Sequence, residues 1–148
     1  MKIDLTRVLS GENLKVGPAI MIVPTINDAT TVDLYRQFRE APANCQSRKK
    51  NVAIVATGLL NTPDQVSGIG CRRDGNSFEI NLETRRFEGP LAGNDPWFAL
   101  IKMELGSLKQ GIYTLAIKER VLRFIDFRHP EHATNSTTTK QHMSFDCI

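Results

Sequence analysis

The stretch Ile69–Leu82, IGCRRDGNSFEINL, carries the clearest indication of the fold class of this chain. At its centre is the pair Asp74-Gly75, and apolar residues alternate with polar ones on both sides of it. An Asp-Gly pair between two alternating runs favours a β-hairpin with a two-residue turn. That spacing places Cys71 opposite Phe78, which gives the hairpin one apolar and one polar face. We therefore predict an antiparallel sheet with one buried face.

Further runs rich in apolar and β-branched residues predict additional strands on either side of this hairpin. Between the predicted strands Ile112–Ile117 and Val121–Phe127, the segment Lys118-Glu119-Arg120 is charged and is predicted to be a turn. The predicted strands are Ala19–Val23, Val52–Ala56, Trp97–Leu105, Ile112–Ile117 and Val121–Phe127.

One segment, Ala29–Glu40, has a helical period instead. Its residues Thr31, Leu34, Tyr35 and Phe38 follow the spacing i, i+3, i+4, i+7, which places them on one helix face. Thr30 and Asp33 have the spacing of a helix N-terminal capping pair. We predict a short helix here.

The run Leu108-Lys109-Gln110-Gly111-Ile112-Tyr113 has the spacing L-x-x-G-x-Y immediately before a predicted strand. It resembles the tyrosine corner of immunoglobulin-like, Greek-key β-sandwiches. The resemblance implies a mainly β fold, an immunoglobulin-like antiparallel β-sandwich with one short helix, in which the Tyr113 hydroxyl bonds to backbone just upstream. The chain lacks the Cys…Trp…Cys spacing of antibody domains, because Trp97 follows both Cys45 and Cys71. No particular family is indicated.

Length and composition set the domain organisation. A chain of 148 residues with 41% hydrophobic residues has the size of one domain and is neither a coiled coil nor wholly disordered. The composition shifts after residue 128, and Thr134–Thr139 is a polar run without apolar period. We predict a single sandwich domain over 1–128 and a flexible polar tail over 129–148.

The charge balance bears on partners and compartment. A net charge of +3 is too small to indicate nucleic-acid binding, and no apolar run approaches the length of a membrane span. Charges at Lys2, Asp4 and Arg7 interrupt the N-terminus, so no signal peptide is visible. A cytoplasmic protein and a mature exported domain both fit, and the oligomeric state is left open.

The three cysteines are too far apart for a C-x-x-C motif, so no thiolate zinc site is expected. Cys147 falls in the predicted tail, which leaves Cys45 and Cys71 as the one pair considered for a bridge, and we expect free thiols. The segment His129-Pro130-Glu131-His132 has no rigid frame for a metal, and neither a metal nor a cofactor is predicted.

Two sets of residues are candidates for binding. Arg72, Arg73, Arg85 and Arg86 flank the predicted hairpin and would form a basic patch for an acidic partner. Trp97, next to the loop Gly93-Asn94-Asp95-Pro96, would be an aromatic platform for a ligand.

No motif for catalysis is found: G-x-S-x-G is absent from the sequence, and all three histidines lie beyond the predicted strands. The favoured function is therefore a non-enzymatic module that binds or structurally supports another protein, through an exposed sheet edge or the loops between strands. The alternative is a module that binds carbohydrate or another small ligand through Trp97.

Overall fold

The computed structural model describes residues 1–41, 44–89, 95–126, 128–129 and 132–148. Secondary structure within these ranges is mostly strand. The elements are β1 (Ile3–Leu9), β2 (Ala19–Pro24), α1 (Thr31–Glu40), β3 (Lys50–Ala56), β4 (Gln65–Asp74), β5 (Ser77–Phe87), β6 (Trp97–Ser107), β7 (Gly111–Phe124) and β8 (Asn135–Cys147).

The strands form two four-stranded sheets that pack as a sandwich. Sheet A has the order β1-β6-β3-β2, and sheet B has the order β4-β5-β7-β8. The strand pairs are antiparallel except for β5 with β7, which is parallel. Side chains such as Ile101 of sheet A and Leu115 of sheet B meet in a common core between the sheets. The prediction of a mainly β sandwich with one short helix is confirmed.

The strand order departs from that of immunoglobulin domains, whose sheets are A-B-E-D and C-F-G. The tyrosine corner itself is present, since the Tyr113 hydroxyl donates to the Lys109 carbonyl at 2.7 Å. The immunoglobulin-like resemblance therefore rests on this corner and remains a prediction.

Helix α1 covers the outer face of sheet A. Its buried residues are Thr31, Leu34, Tyr35 and Phe38, as the helical period predicts. Thr30 caps the helix, and its hydroxyl oxygen accepts from the Asp33 amide at 3.1 Å. Because sheet A is buried on both faces, β3 and β6 carry nearly continuous apolar sequence instead of alternation.

The central hairpin of β4 and β5 has the predicted faces with a shifted register. Cys71 pairs with Ile80, and the turn residues are Gly75 and Asn76. The φ of Gly75 is +59° while Asn76 has no positive φ, which is the pattern of a type II′ turn with glycine first. The observed pairing differs from the predicted one by one residue on each strand, so Cys71 lies opposite Ile80 and not opposite Phe78. Because alternate residues of a strand share a face, Phe78 still lies on the core-facing side together with Cys71.

The prediction of a turn at Lys118-Glu119-Arg120 is wrong, because β7 continues through these residues without a break. Two of the three charged side chains have a polar partner on β5. Arg120 lies 3.8 Å from the Glu83 carboxylate, and Thr84 Oγ1 donates to Glu119 Oε2 at 2.9 Å. The predicted end of that strand at Phe127 lies outside the described residues.

The expectation of a flexible tail is also corrected, because most of the segment after residue 132 forms β8. This strand pairs along its whole length with β7, and its register places Phe145 opposite Tyr113 and Met143 opposite Leu115. Threonine is β-branched and suits a strand, so the polar run Thr137–Thr139 is compatible with an edge position.

Candidate functional site

The candidate site is a groove along one side of the sandwich, between the edge strands β2 of sheet A and β8 of sheet B. It has a volume of about 480 Å³. Its apolar lining comes from Ile20 and Ile22 on β2 and from Met143 and Phe145 on β8. We call this space the edge groove.

The apolar lining is continuous with the core between the sheets. Ile20, Met143 and Phe145 are only partly buried, and each packs against that core. The Phe145 ring stacks on Tyr113 with centroids 5.6 Å apart and lies 6.4 Å from Phe78. The groove wall is therefore held in place by core aromatics, which is the rigidity that a binding surface needs.

A smaller cavity of about 130 Å³ extends the edge groove toward the opposite end of β8. Ile20 lines both spaces, and the extension adds polar side chains that include Glu119, Thr84 and Gln141. The Glu119 carboxylate is held by the buried Thr84 hydroxyl. The edge groove thus supplies an apolar half of the site, and its extension supplies a polar half.

The two strands that border the groove differ as edges. β2 has 6 residues, follows Pro18 directly and ends at Pro24, and short edges with proline resist further pairing. β8 has 13 residues and contains no proline. Cys45 forms a β-bridge with its last residue, Cys147, and among the described residues the rest of its outward backbone N–H and C=O groups form a long edge open to another strand.

On the other side of the sandwich, the sheet edges are less suited to accept a strand. The register of β4 shifts between Val66 and Gly68, and such a bulge interrupts regular pairing along an edge. The apolar cluster of Leu60, Trp97 and Ala99 packs with Leu5 of β1 and Val66 of β4. This cluster therefore contacts one residue of each of the two edge strands.

Cys45 lies in the lining of the edge groove, and its chemistry is unlike that of a catalytic nucleophile. Burial first, and then the hydrogen bond and charge of Cys147, raise the pKa of the Cys45 thiol to about 12. A cysteine nucleophile needs a lowered pKa, because the thiolate is the reactive species.

The four predicted arginines do not form one patch. Arg72 lies 3.1 Å from Glu79, and the Arg73 guanidinium is 5.0 Å from the centre of the Phe78 ring, both near the hairpin turn. Arg85 and Arg86 are at the far end of β5, so roughly 20 Å of strand separates the two pairs. The shared basic patch is therefore corrected to two separate arginine pairs.

Arg86 alone of these residues borders the candidate site. Its Nη2 donates to the Leu59 carbonyl at 2.7 Å, and its side chain lines the polar extension of the edge groove.

Trp97 is buried, with 4% of its surface exposed, so it does not offer an open ring face. Its Nε1 donates to the Asn61 carbonyl at 2.9 Å, and the Arg7 guanidinium covers the ring at 4.5 Å. The prediction of an exposed aromatic platform is corrected accordingly. Of the loop proposed beside it, Gly93 and Asn94 lie outside the described residues.

Within the described ranges, no group of three or more His, Cys, Asp and Glu side chains is placed to hold a metal ion. The rings of His129 and His132 stack at 5.5 Å, while Pro130 and Glu131 between them lie outside the described residues. In the same described part of the chain, no helix is both long and apolar enough to cross a membrane.

Comparisons with protein-family models, with curated proteins and with solved structures find no match to this chain.

The residues of the edge groove were missed by the sequence analysis, although a signal for half of them exists. Met143, Phe145 and Cys147 alternate with polar residues, which is the period of a half-buried strand. No comparable signal shows that β8 lies beside β2, because that neighbourhood depends on how the two sheets pack.

Proposed function

We propose that this protein is a non-enzymatic β-sandwich module that binds an extended segment of another protein in the edge groove. The observation that carries the proposal is the long edge of β8 beside an apolar groove, an edge that within the described residues is paired only at its Cys147 end. Such an edge is complementary to a strand-like peptide, whose backbone supplies the missing hydrogen-bond partners.

Backbone pairing supplies affinity in this form of recognition, and alternate side chains supply specificity. A strand added to β8 would direct every second side chain toward the groove. Near Met143 and Phe145 the groove accepts apolar side chains. The opposite wall of the groove, which includes Ile20, is formed by sheet A. Toward Glu119 it accepts polar or basic side chains. We therefore expect a partner segment with alternating apolar residues followed by polar ones.

Two features favour β8 over β2 as the strand that accepts the partner. The first is length, since 13 residues offer more outward backbone groups than 6. The second is proline, since Pro18 precedes β2 and Pro24 is its last residue. The partner segment would pair with β8 and cover Ile20 and Ile22 by side-chain contact alone.

Selection from a phage-displayed library of random peptides of about ten residues, the length of a long strand, tests this function. We expect enriched peptides with apolar residues at alternate positions. Synthetic copies should protect backbone amides of β8 from hydrogen exchange, and N-methylation of alternate peptide amides should abolish binding because it removes the donors.

The variant Met143→Lys supplies the matched test of the site, because a lysine on the edge strand blocks both the groove and further pairing. Ile112→Lys is the control, since Ile112 is 68% exposed on the neighbouring strand and does not line the groove. Selected peptides should bind the control and not Met143→Lys. Enriched peptides that bind both variants equally, or a library without enrichment, would overturn the proposal.

A further inference from the structure

The side chains of Cys45 and Cys147 meet at one end of the edge groove. Their Sγ atoms are 2.7 Å apart, and both residues are buried with 1% exposure. Both are free thiols in the structure. The contact joins residues 102 positions apart in the sequence.

Backbone hydrogen bonds connect the two chain segments that carry these cysteines. Cys45 and Cys147 form a parallel β-bridge, and the Ile148 amide donates to the Cys45 carbonyl at 3.2 Å. The Ser47 amide donates in turn to the Ile148 carbonyl at 2.7 Å. Bridged strands lie about 4.8 Å apart, which is within the range of about 4.4–6.8 Å between the Cα atoms of a disulfide.

We propose that Cys45 and Cys147 are a redox-active pair whose disulfide fastens β8 to the segment before β3. The bond would connect sheet B to sheet A at the end of the edge groove. This inference is independent of whether a peptide occupies the groove.

The oxidant is a small-molecule disulfide such as oxidised glutathione, and the reaction is thiol–disulfide exchange. One cysteine thiolate attacks a glutathione sulfur, forms a mixed disulfide and expels a glutathione thiolate. The second cysteine thiolate then attacks the cysteine sulfur of that mixed disulfide and expels the second glutathione. The two cysteines lose two electrons to the oxidant, and their two protons end on the two glutathiones.

The burial of Cys45 and Cys147 makes thiol–disulfide exchange slow as long as the end of β8 stays paired. Burial raises the pKa of the Cys45 thiol, so the reactive thiolate is scarce at neutral pH. We expect exchange to follow fraying of the end of β8, where Ile148 is 61% exposed. Once formed, the bond would hold that end closed.

Thiol counting on the unmodified chain is the first test. The protein is incubated with oxidised glutathione, denatured without reductant and labelled with iodoacetamide. We expect one labelled cysteine, Cys71, and a linked pair of peptides containing Cys45 and Cys147. The intact mass should fall by about 2 Da relative to the reduced protein, for the two hydrogens lost.

Thermal unfolding is the second test. A bond that closes a loop of this length should raise Tm by roughly 10 °C under oxidising conditions. The double variant Cys45→Ala/Cys147→Ala should lose the difference between oxidising and reducing conditions, and the matched control Cys71→Ser should retain it. Three labelled thiols, or glutathione adducts on Cys45 or Cys147 in place of the linked peptides, would overturn the proposal.

Discussion

The rings of Tyr113 and Phe145 stack across the β7–β8 pair, with centroids 5.6 Å apart and planes inclined by 18°. They are direct cross-strand neighbours on the core side of sheet B. Tyr113 is fixed by its bond to Lys109, so it provides a rigid surface for Phe145. The stack makes β8 part of the core and positions one wall of the edge groove.

Replacement of Phe145 by alanine should weaken the attachment of β8. We expect a loss of about 2 kcal/mol in the free energy of unfolding, because the side chain is partly buried and stacked. Urea denaturation measures the loss. Ile112→Thr, which alters an exposed residue of the neighbouring strand, should change stability by less than about 0.5 kcal/mol. Equal effects of the two substitutions would contradict the assigned role.

Removal of the Tyr113 hydroxyl tests the corner separately from the ring. Tyr113→Phe keeps the stack and deletes the bond to the Lys109 carbonyl. The expected loss is about 0.5–1.5 kcal/mol, the net value of one hydrogen bond in a folded protein. Denaturant unfolding measures it, and an unchanged midpoint at equal slope would show that the bond does not stabilise the fold.

Gly75 should tolerate substitution poorly because of its backbone and not because of its surroundings. Its φ is +59°, and a Cβ at this position would meet no atom within 4 Å. Gly75→Val should cost about 1–2 kcal/mol, since β-branched residues are strained in this region. Gly70→Val is the control, because Gly70 has equally open space and no positive φ. It should be neutral or stabilising, and equal thermal shifts in the two variants would refute the explanation.

Asp64 is buried, and its carboxylate holds two chain segments together. It accepts from the Phe87 amide at 2.7 Å and from the Asn61 amide at 2.8 Å. Asp64→Ala leaves both donors without this partner and should cost about 2–3 kcal/mol. Asp64→Asn keeps one acceptor oxygen and should cost less. A loss as large in the asparagine as in the alanine variant would argue that charge, and not hydrogen bonding, matters here.

The start of α1 should be sensitive to acid. Hydrogen bonds from Thr30, the side chain first and the backbone second, lower the pKa of Asp33 from its ordinary value of 3.8. Since the folded pKa is the lower one, the capping contribution is complete above 3.8 and is lost as the pH falls through the folded value.

An NMR titration of the Asp33 carboxyl carbon measures this pKa. The variant Thr30→Val should raise the midpoint toward 3.8, and Arg36→Gln should raise it less, because the Arg36 charge is the smallest cause of the shift. A midpoint unchanged in Thr30→Val would mean that the capping bonds do not set the pKa.

Elements defined by local chemistry could be predicted from the sequence. The buried face of α1 follows from four residues at helical spacing, and the start of the helix follows from the Thr30–Asp33 pair. The apolar side of the β4–β5 hairpin likewise follows from alternation, even though the turn begins one residue later than expected. In each case the residues that decide the conformation are within a few positions of one another.

Elements defined by distant partners were not predictable in the same way. The charged run in β7 resembles a turn until Glu83 and Thr84 of β5 are placed beside it. The pairing of Cys45 with Cys147 depends on β8 being ordered, and the order of β8 depends on β7. The edge groove depends on distant residues in two ways. Both sheets must form, and they must then pack in the observed relative position.

The parallel pairing of β5 with β7 has a consequence for how fast the chain folds. Parallel neighbours require a long connection, and here the chain leaves sheet B, adds β6 to the interior of sheet A and then returns. The pairing of β5 with β7 therefore closes a loop that contains the whole of β6. Folds dominated by such distant pairings pay the entropy of loop closure early and reach the native state in milliseconds to seconds. During that interval the strands of sheet B have unpaired edges, so the newly made chain passes through a period of exposure to aggregation.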